Sequence, residues 1–338
     1  MLNFKPIQSK SVWESFLLSS AQVNFLQSWN WGEFHQQLNH QIFRYGFYLN
    51  NGLIGVAQLI KIKARRATYL ECPGGPIIDW DNSAQVKTVY NHLKNLAISQ
   101  KASFVRIRPN QLKNPFRLKT LKAAGFRPSP MHLHAETTWV LDLKPPIETI
   151  LKQMRKNTRY SLKQAEKLKL KVVKSLDDQD IQLLYDLQLE VVKRRHFVPF
   201  SKDYLLKQFQ TFKIDNQIQL FKVIYQKQVL AIAFIIFYGQ EAVYHYSGSS
   251  NQLRQIPASY ALQWAAIQAA KQKGFNRYNF WGIAPINKPH HRFAGVTLFK
   301  TGFGGFEVDY LPAHDLVIRP SYWLNFLIET LRRISRHL

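Results

Sequence analysis

The chain has 338 residues, 46% apolar and 14% aromatic, the composition of a globular protein with enough apolar surface for two cores. Lys and Arg number 46 against 21 acids, a formal charge of +25, which points to polyanions (nucleic acid, an anionic membrane surface or phosphate-bearing substrates) without choosing among them. A single cysteine, Cys72, excludes an internal disulfide; no apolar run at the N-terminus has signal-peptide length, and the longest one, Val229 to Tyr238, is too short to span a bilayer, so a cytoplasmic location is expected.

In chain order, Asn51 to Gly75 (NGLIGVAQLIKIKARRATYLECPGG) predicts a strand, a basic turn and a second strand. The helical pattern VKTVYNHLKNLAISQKA follows, then the strand FVRIRP from Phe104 to Pro109, then LKAAGF ending at Phe126. From Leu151 to Leu168, Lys152, Lys156, Arg159, Lys163 and Lys167 share one helical face, while Leu151, Met154, Leu162, Ala165 and Leu168 share another. Two readings fit this stripe: a solvated face, or a contact with nucleic acid or anionic lipid, because an unbroken single sign repels itself without a polyanion.

The order then repeats. Lys227 to Ser250 (KQVLAIAFIIFYGQEAVYHYSGSS) is a second strand pair, with Val229 matching Leu53 and Ala233 matching Ala57, about 176 positions on. The helical ASYALQWAAIQAAKQKG and the strand RYNFWGI (Arg277 to Ile283) follow, and LFKTGF ending at Phe303 pairs with LKAAGF. Two copies of one β-β-α-β unit are the simplest account.

That unit is similar to an acyltransferase domain of the GNAT type. The expected fold class is therefore α/β (α+β): two tandem GNAT-like domains, each a mixed, mainly antiparallel sheet flanked by helices. The expected boundaries are 1–145 for the first domain, 146–320 for the second with a basic helix over 150–169, and 321–338 for a C-terminal amphipathic helix. This last segment combines Trp323, Phe326, Leu327, Leu331 and Ile334 with Arg332, Arg333 and Arg336, which suits an interfacial helix and equally one packed on the second domain.

GNAT domains bind the coenzyme A pyrophosphate on a [QR]-x-x-G-x-[GA] loop whose free amides open the helix. Here the matching segment runs from Arg254 to Ser259, with Pro257 in place of the first glycine and one donor fewer; the first copy, DNSAQVKTVY, has no such loop. Coenzyme A is therefore not expected as acyl carrier. On the second hairpin's outgoing strand Tyr244 and Tyr246 are expected to face one side and His245 the other, with Tyr246 as the cleft residue. The Ser247-Gly248-Ser249 run has no histidine and carboxylate constellation to make it a nucleophile site. No His, Cys or Asp cluster has metal spacing, and the pair His290 and His291 has no second ligand set nearby, so no metal is expected.

The chain resembles the Fem-type (FemABX) peptidyltransferases through FLQSWNWGEF (Phe25 to Phe34), CPGGPIID, FVRIRPN, LKQMRKNTRYSLKQAEK, RRHFVPFSKDYL (Arg194 to Leu205), YHYSGSS and GVTLFKTGFGGFEVDYLPAHDLVI. The resemblance covers most of the chain and rests on the order and spacing of these segments together. It implies twin GNAT-like domains, no coenzyme A or other cofactor, and two partners, aminoacyl-tRNA and a peptidoglycan precursor. The implied activity is transfer of an amino acid to the precursor's stem peptide, with lipid II or UDP-MurNAc-pentapeptide as acceptor, and peripheral contact with the anionic inner face of the plasma membrane goes with the lipid-linked case.

Residue by residue, the resemblance places Lys300 as the functional lysine of the F-K motif, with Phe299 beside it on the substrate side. A cation there would stabilise charge developing on the ester carbonyl and then on the departing ribose oxygen; the neighbouring glycines would let a substrate backbone approach. Arg194 or Arg195 matches an arginine that holds a substrate phosphate. Two positions depart from the pattern: Arg108 stands in FVRIRPN where many members carry an acid, and His35 stands near where a phosphate-binding lysine is expected. Two other functions stay open, an aminoacyl-tRNA-protein transferase and a non-catalytic RNA- or membrane-binding twin-domain protein.

Overall fold

The computed structural model describes residues 2–195, 198–284 and 294–335, with the Arg195 side chain outside the description. It forms two compact units, Met1–Glu136 with Asp309–Leu338, and Thr137–Val308. The first contains, in order, β1 (Leu2–Pro6), α1 (Lys10–Ser19), α2 (Trp29–Gln37), β2 (Gln41–Leu49), β3 (Gly52–Lys63), β4 (Thr68–Gly74), α3 (Ser83–Ser99), β5 (Phe104–Pro109), α4 (Pro115–Ala123) and β6 (Phe126–Pro128). The second contains β7 (Thr137–Asp142), α5 (Ile147–Gln153), α6 (Lys156–Lys167), β8 (Lys171–Ser175), α7 (Asp180–Arg195), α8 (Lys202–Lys213), β9 (Ile218–Tyr225), β10 (Gln228–Tyr238), β11 (Glu241–Ser249), α9 (Ala258–Gln272), β12 (Arg277–Gly282), α10 (Ala294–Thr301) and β13 (Phe306–Asp309). β14 (His314–Val317) and α11 (Tyr322–Ser335) then return to the first unit.

The repeat is visible in the strands. β3-β4-α3-β5 and β10-β11-α9-β12 have the same order, and each lies in a sheet that is seven-stranded among the described residues: β1-β2-β3-β4-β5-β14-β6 and β13-β7-β12-β11-β10-β9-β8. Each unit's core is the seam between its helix and its sheet. Asn82 caps α3 by accepting from the Gln85 amide, and Val86, Val89, Tyr90 and Leu93 then fall on one buried face against Leu70, Val105 and Ile107. In α9 the inward face is mostly alanine (Ala258, Ala261, Ala266, Ala269, Ala270), which lets the helix lie close on Ala231, Ala233 and Ile235 of β10.

Three expected boundaries move. The first domain ends at Glu136 rather than 145, because β7 pairs with β12; β14 pairs with β5 and β6 and brings the chain back to the first unit at Asp309. Pairing between such distant segments leaves no trace in local periodicity. The basic helix expected over 150–169 is two helices, broken where Met154 is buried and extended (ψ 151°) and Arg155 caps α6. The C-terminal helix sits on the first unit rather than the second. There Tyr322 is buried, and the Arg127 guanidinium stacks on Trp323 and Phe326 at 4.4 and 4.8 Å.

The parallel pairs differ in a way that shapes the site. β4 and β5 stay paired over five positions, Leu70 to Gly74, whereas β11 and β12 pair over three, Glu241 to Val243, and then part.

Candidate functional site

Backbone irregularities mark the place where β11 and β12 part. Against β10, Phe234 pairs with Tyr246 and Ile235 with Tyr244, so His245 is the extra residue of a bulge. In β12 the register against β7 shifts between Asn279 and Gly282, and Trp281 has a φ of 65°. The bulge overturns the expected alternation: one extra residue puts Tyr244 and Tyr246 on opposite faces. Tyr244 packs on the α9 side and its hydroxyl meets Ser247 Oγ at 2.5 Å, while Tyr246 packs against Phe200 and Phe234.

Along the part of β11 that has left β12 lies a cleft of about 730 Å³. Tyr244, Ser247 and Ser249 line it together with Ser259 and Tyr260 of α9, Val296 and Phe299 of α10, and the arginines Arg194 and Arg254. On β11 it is thus Tyr244 and not Tyr246 that lines the cleft, and Phe299 lines it from α10. Arg194 donates to the Ser249 carbonyl at 3.2 Å and to Ser249 Oγ at 3.0 Å, which ties the end of β11 to α7. Arg254 and Tyr260 escaped the sequence reading. Arg254 lay in a segment read only for its missing glycine.

At the mouth of α9, Pro257 occupies the cap position, the Ala258 amide donates to Ile256 O at 2.8 Å, and the Tyr260 amide donates to Pro257 O at 3.1 Å. Amides committed within the chain are not offered to an anion. Millimolar acetyl-CoA should accordingly leave the melting temperature unchanged, and a dose-dependent rise in a thermal-shift assay would return coenzyme A to consideration.

Lys300 is 7% exposed, near the end of α10, and its Nζ donates to the Gly282 carbonyl at the end of β12, 2.6 Å away. Burial pushes its pKa from 10.5 down to about 7. The glycines that follow serve packing rather than substrate approach. A Cβ on Gly302 would meet Thr158 Oγ1 at 2.5 Å, and one on Gly305, whose φ is 97°, would meet the Val140 carbonyl at 2.3 Å. Arg155 completes this brace: its amide donates to Gly302 O at 2.9 Å and its guanidinium to Thr301 Oγ1 at 2.9 Å. The break in the basic helix thus holds the turn that carries Lys300.

The two substrate-side candidates that depart from the family pattern, His35 and Arg108, are both buried. His35 is 6% exposed, packs on Trp31 and meets His40 Nδ1 at 2.9 Å; burial first and His40 second push its pKa down to about 3, so it carries no charge for a phosphate. Arg108 is 1% exposed, over the Tyr310 ring at 5.3 Å and 3.5 Å from Asn110 Oδ1. Both belong to the first unit, and Lys300, Arg194, Phe299 and Tyr246 to the second. In the basic stripe, Lys152, Lys156, Lys163 and Lys167 are exposed, but Arg159 is half-buried and donates to the carbonyls of Lys152 and Met154, closing the end of α5. Arg195 and the His290–His291 pair lie outside the described side chains, and among the described residues no His, Cys, Asp or Glu group could hold a metal ion.

The FemAB family model matches residues 9–227 and 213–330. The aminoacyltransferase FemA of Staphylococcus epidermidis is 38% identical over 82 residues, 24% of this chain and 20% of FemA, so the match spans about a fifth of that relative's length. Among solved structures, FemX superposes with a TM-score of 0.85 at 18% identity over 97% of this chain and all of FemX (100%). A tandem GNAT protein from the clavulanic acid biosynthesis pathway gives 0.59 at 9% identity over 95% of this chain and 99% of its own. At these identities the likeness shows the fold, two GNAT-like domains in tandem.

Proposed function

The chain belongs to the FemAB family, and on that premise we propose that it is a tRNA-dependent aminoacyltransferase that extends the stem peptide of a peptidoglycan precursor. In this reaction the acceptor amine attacks the ester carbonyl of aminoacyl-tRNA. A C–N bond forms, the C–O bond to the ribose breaks, and negative charge develops first on the carbonyl oxygen and then on the ribose oxygen. The observation that carries the reading is the buried Lys300 ammonium where β11 and β12 have parted, held on Gly282 O. A donor fixed before the reaction stabilises developing charge without reorganising. With a pKa near 7 it also suits proton delivery to the leaving oxygen at neutral pH.

Arg194 and Arg254 line the cleft, to which the neighbouring Phe299 also belongs, and match a pyrophosphate, a group that lipid-linked and nucleotide-linked precursors share. The exposed lysines of α5 and α6 (Lys152, Lys156, Lys163, Lys167) offer a tRNA backbone a row of charges. Both substrates are polyanions of the cytoplasm, and we place the chain there; no described helix is long and apolar enough to cross a membrane.

The test is incubation of the purified chain with charged tRNA and either lipid II or UDP-linked muropeptide, read by mass spectrometry. Addition of one aminoacyl mass to the stem is expected. Intact precursor with both acceptors, under conditions where the charged tRNA binds, would overturn the reading.

A further inference from the structure

The helix α11 turns Tyr322, Asn325, Phe326 and Glu329 inward, a side that mixes aromatic and polar groups. Asn325 is buried, Glu329 accepts from Arg106 Nη2 at 2.7 Å, and the buried Tyr322 hydroxyl donates to Asp315 Oδ2 at 3.1 Å. These anchors fix the rotation of the helix about its axis. Its outward side therefore carries Trp323, Leu324, Leu327, Leu331 and Ile334, exposed by 49, 61, 56, 58 and 64%. Positions 324, 327, 331 and 334 fall on one helical face. A helix packed on a protein in water ordinarily shows the reverse arrangement, and a contiguous exposed apolar patch marks an interaction surface.

Apart from Glu329, the charges on the helix have one sign. Glu329 is the only acid in α11 and is bound to Arg106, while Arg332 and Arg333 stand exposed in the last turn. The loop between β3 and β4 carries Arg65 and Arg66 next to Ala67, which shares a small buried cluster with Tyr322 of the first turn. Leucines collared by cations, with no free acid on the helix, match a surface that is apolar inside and negative at its rim.

We propose that α11 docks the protein on an anionic lipid bilayer, lying in the interface with its leucines among the acyl chains and its arginines at the headgroup phosphates. The occupant is a bilayer rather than a second copy of this chain, since a second copy would bring the same cations against these. The inference stands apart from the transferase reading: binding is measured without tRNA or precursor, so either can fail while the other holds.

The experiment is co-sedimentation of the full chain with vesicles of phosphatidylcholine, with and without phosphatidylglycerol. Partition onto the phosphatidylglycerol vesicles alone is expected. Leu327→Ser with Leu331→Ser, both at exposed positions, should lower it by at least about tenfold with the melting temperature held. Arg332→Gln with Arg333→Gln should lower it by about fivefold per charge. No partition of the unmodified chain would overturn the proposal, as would partition that neither pair changes. A dimer in sedimentation velocity that the serine pair dissolves, without vesicle binding, would assign the stripe to a second copy.

Discussion

Lys300→Met should lower turnover by about a hundredfold or more while leaving precursor affinity nearly unchanged, because the interaction removed is made only as charge develops. The same substitution should stabilise the fold, with a pH dependence whose sign is fixed. The folded pKa is about 7 against an ordinary lysine value of 10.5. Below pH 7 the amine is charged in both states and the folded protein carries the full cost of burying it. Between pH 7 and 10.5 only the unfolded chain holds the proton, so stability rises with pH by about 1.4 kcal/mol per unit; above that range the difference is constant. Methionine removes the charge, so the variant should exceed the parent by a few kcal/mol at pH 6, with the gain shrinking toward pH 10. Urea denaturation at the two pH values measures this. Unchanged turnover would take Lys300 out of the mechanism, and a stability difference flat in pH would mean that the ammonium is not buried as a charge.

That pairing of lost activity with gained stability is the physical content of the lysine the sequence singled out. The repeat was legible because its parts are local: strand alternation and a helix period lie within a few residues of one another. Lys300, Phe299 and Arg194 came instead from the family resemblance; Phe299 and Arg194 line the cleft, and Lys300 reaches Gly282 at the end of β12. Tyr246 was expected in the cleft and does not line it, because the bulge at His245 shifts the strand by one residue, and a single inserted residue has no compositional signature. Arg159 looked like part of a charge stripe because helical periodicity runs through Met154, although the break there turns its guanidinium back onto carbonyls. The exchange of β7 and β14 between sheets lies beyond any local pattern, as does the burial of Arg106, whose acids come from Asp315 and Glu329 more than two hundred positions along the chain.

That network sets the largest expected loss of stability. Arg106 on β5 donates to both carboxylate oxygens of Asp315 at 2.7 and 2.8 Å and to Glu329 Oε2 at 2.7 Å, and Asp315 is fully buried. Asp315→Asn leaves the guanidinium buried with one carboxylate at the rim, and loss of one partner of a buried pair costs about 3–5 kcal/mol. Glu329→Gln should cost less, since its carboxylate is 16% exposed and water replaces part of the contact. A third carboxyl makes the Asp315→Asn loss depend on pH. Glu71 faces Arg106 in the parallel register of β4 and β5, and burial pushes its pKa up to about 7. Below that pH it is protonated when folded and cannot replace the lost charge; above it the ionised form can. The unfolded carboxyl, near 4.5, holds fewer protons across this range, so ionising Glu71 in the parent lowers stability as pH rises. In the variant that cost is offset by the unpaired guanidinium, so the deficit should be larger at pH 6 than at pH 8. Arg106→Met combined with Asp315→Leu removes both charges and should recover much of the loss, as apolar replacements of buried pairs do. If the double substitution is as unstable as Asp315→Asn, the damage comes from packing under α11 and not from an unpaired charge.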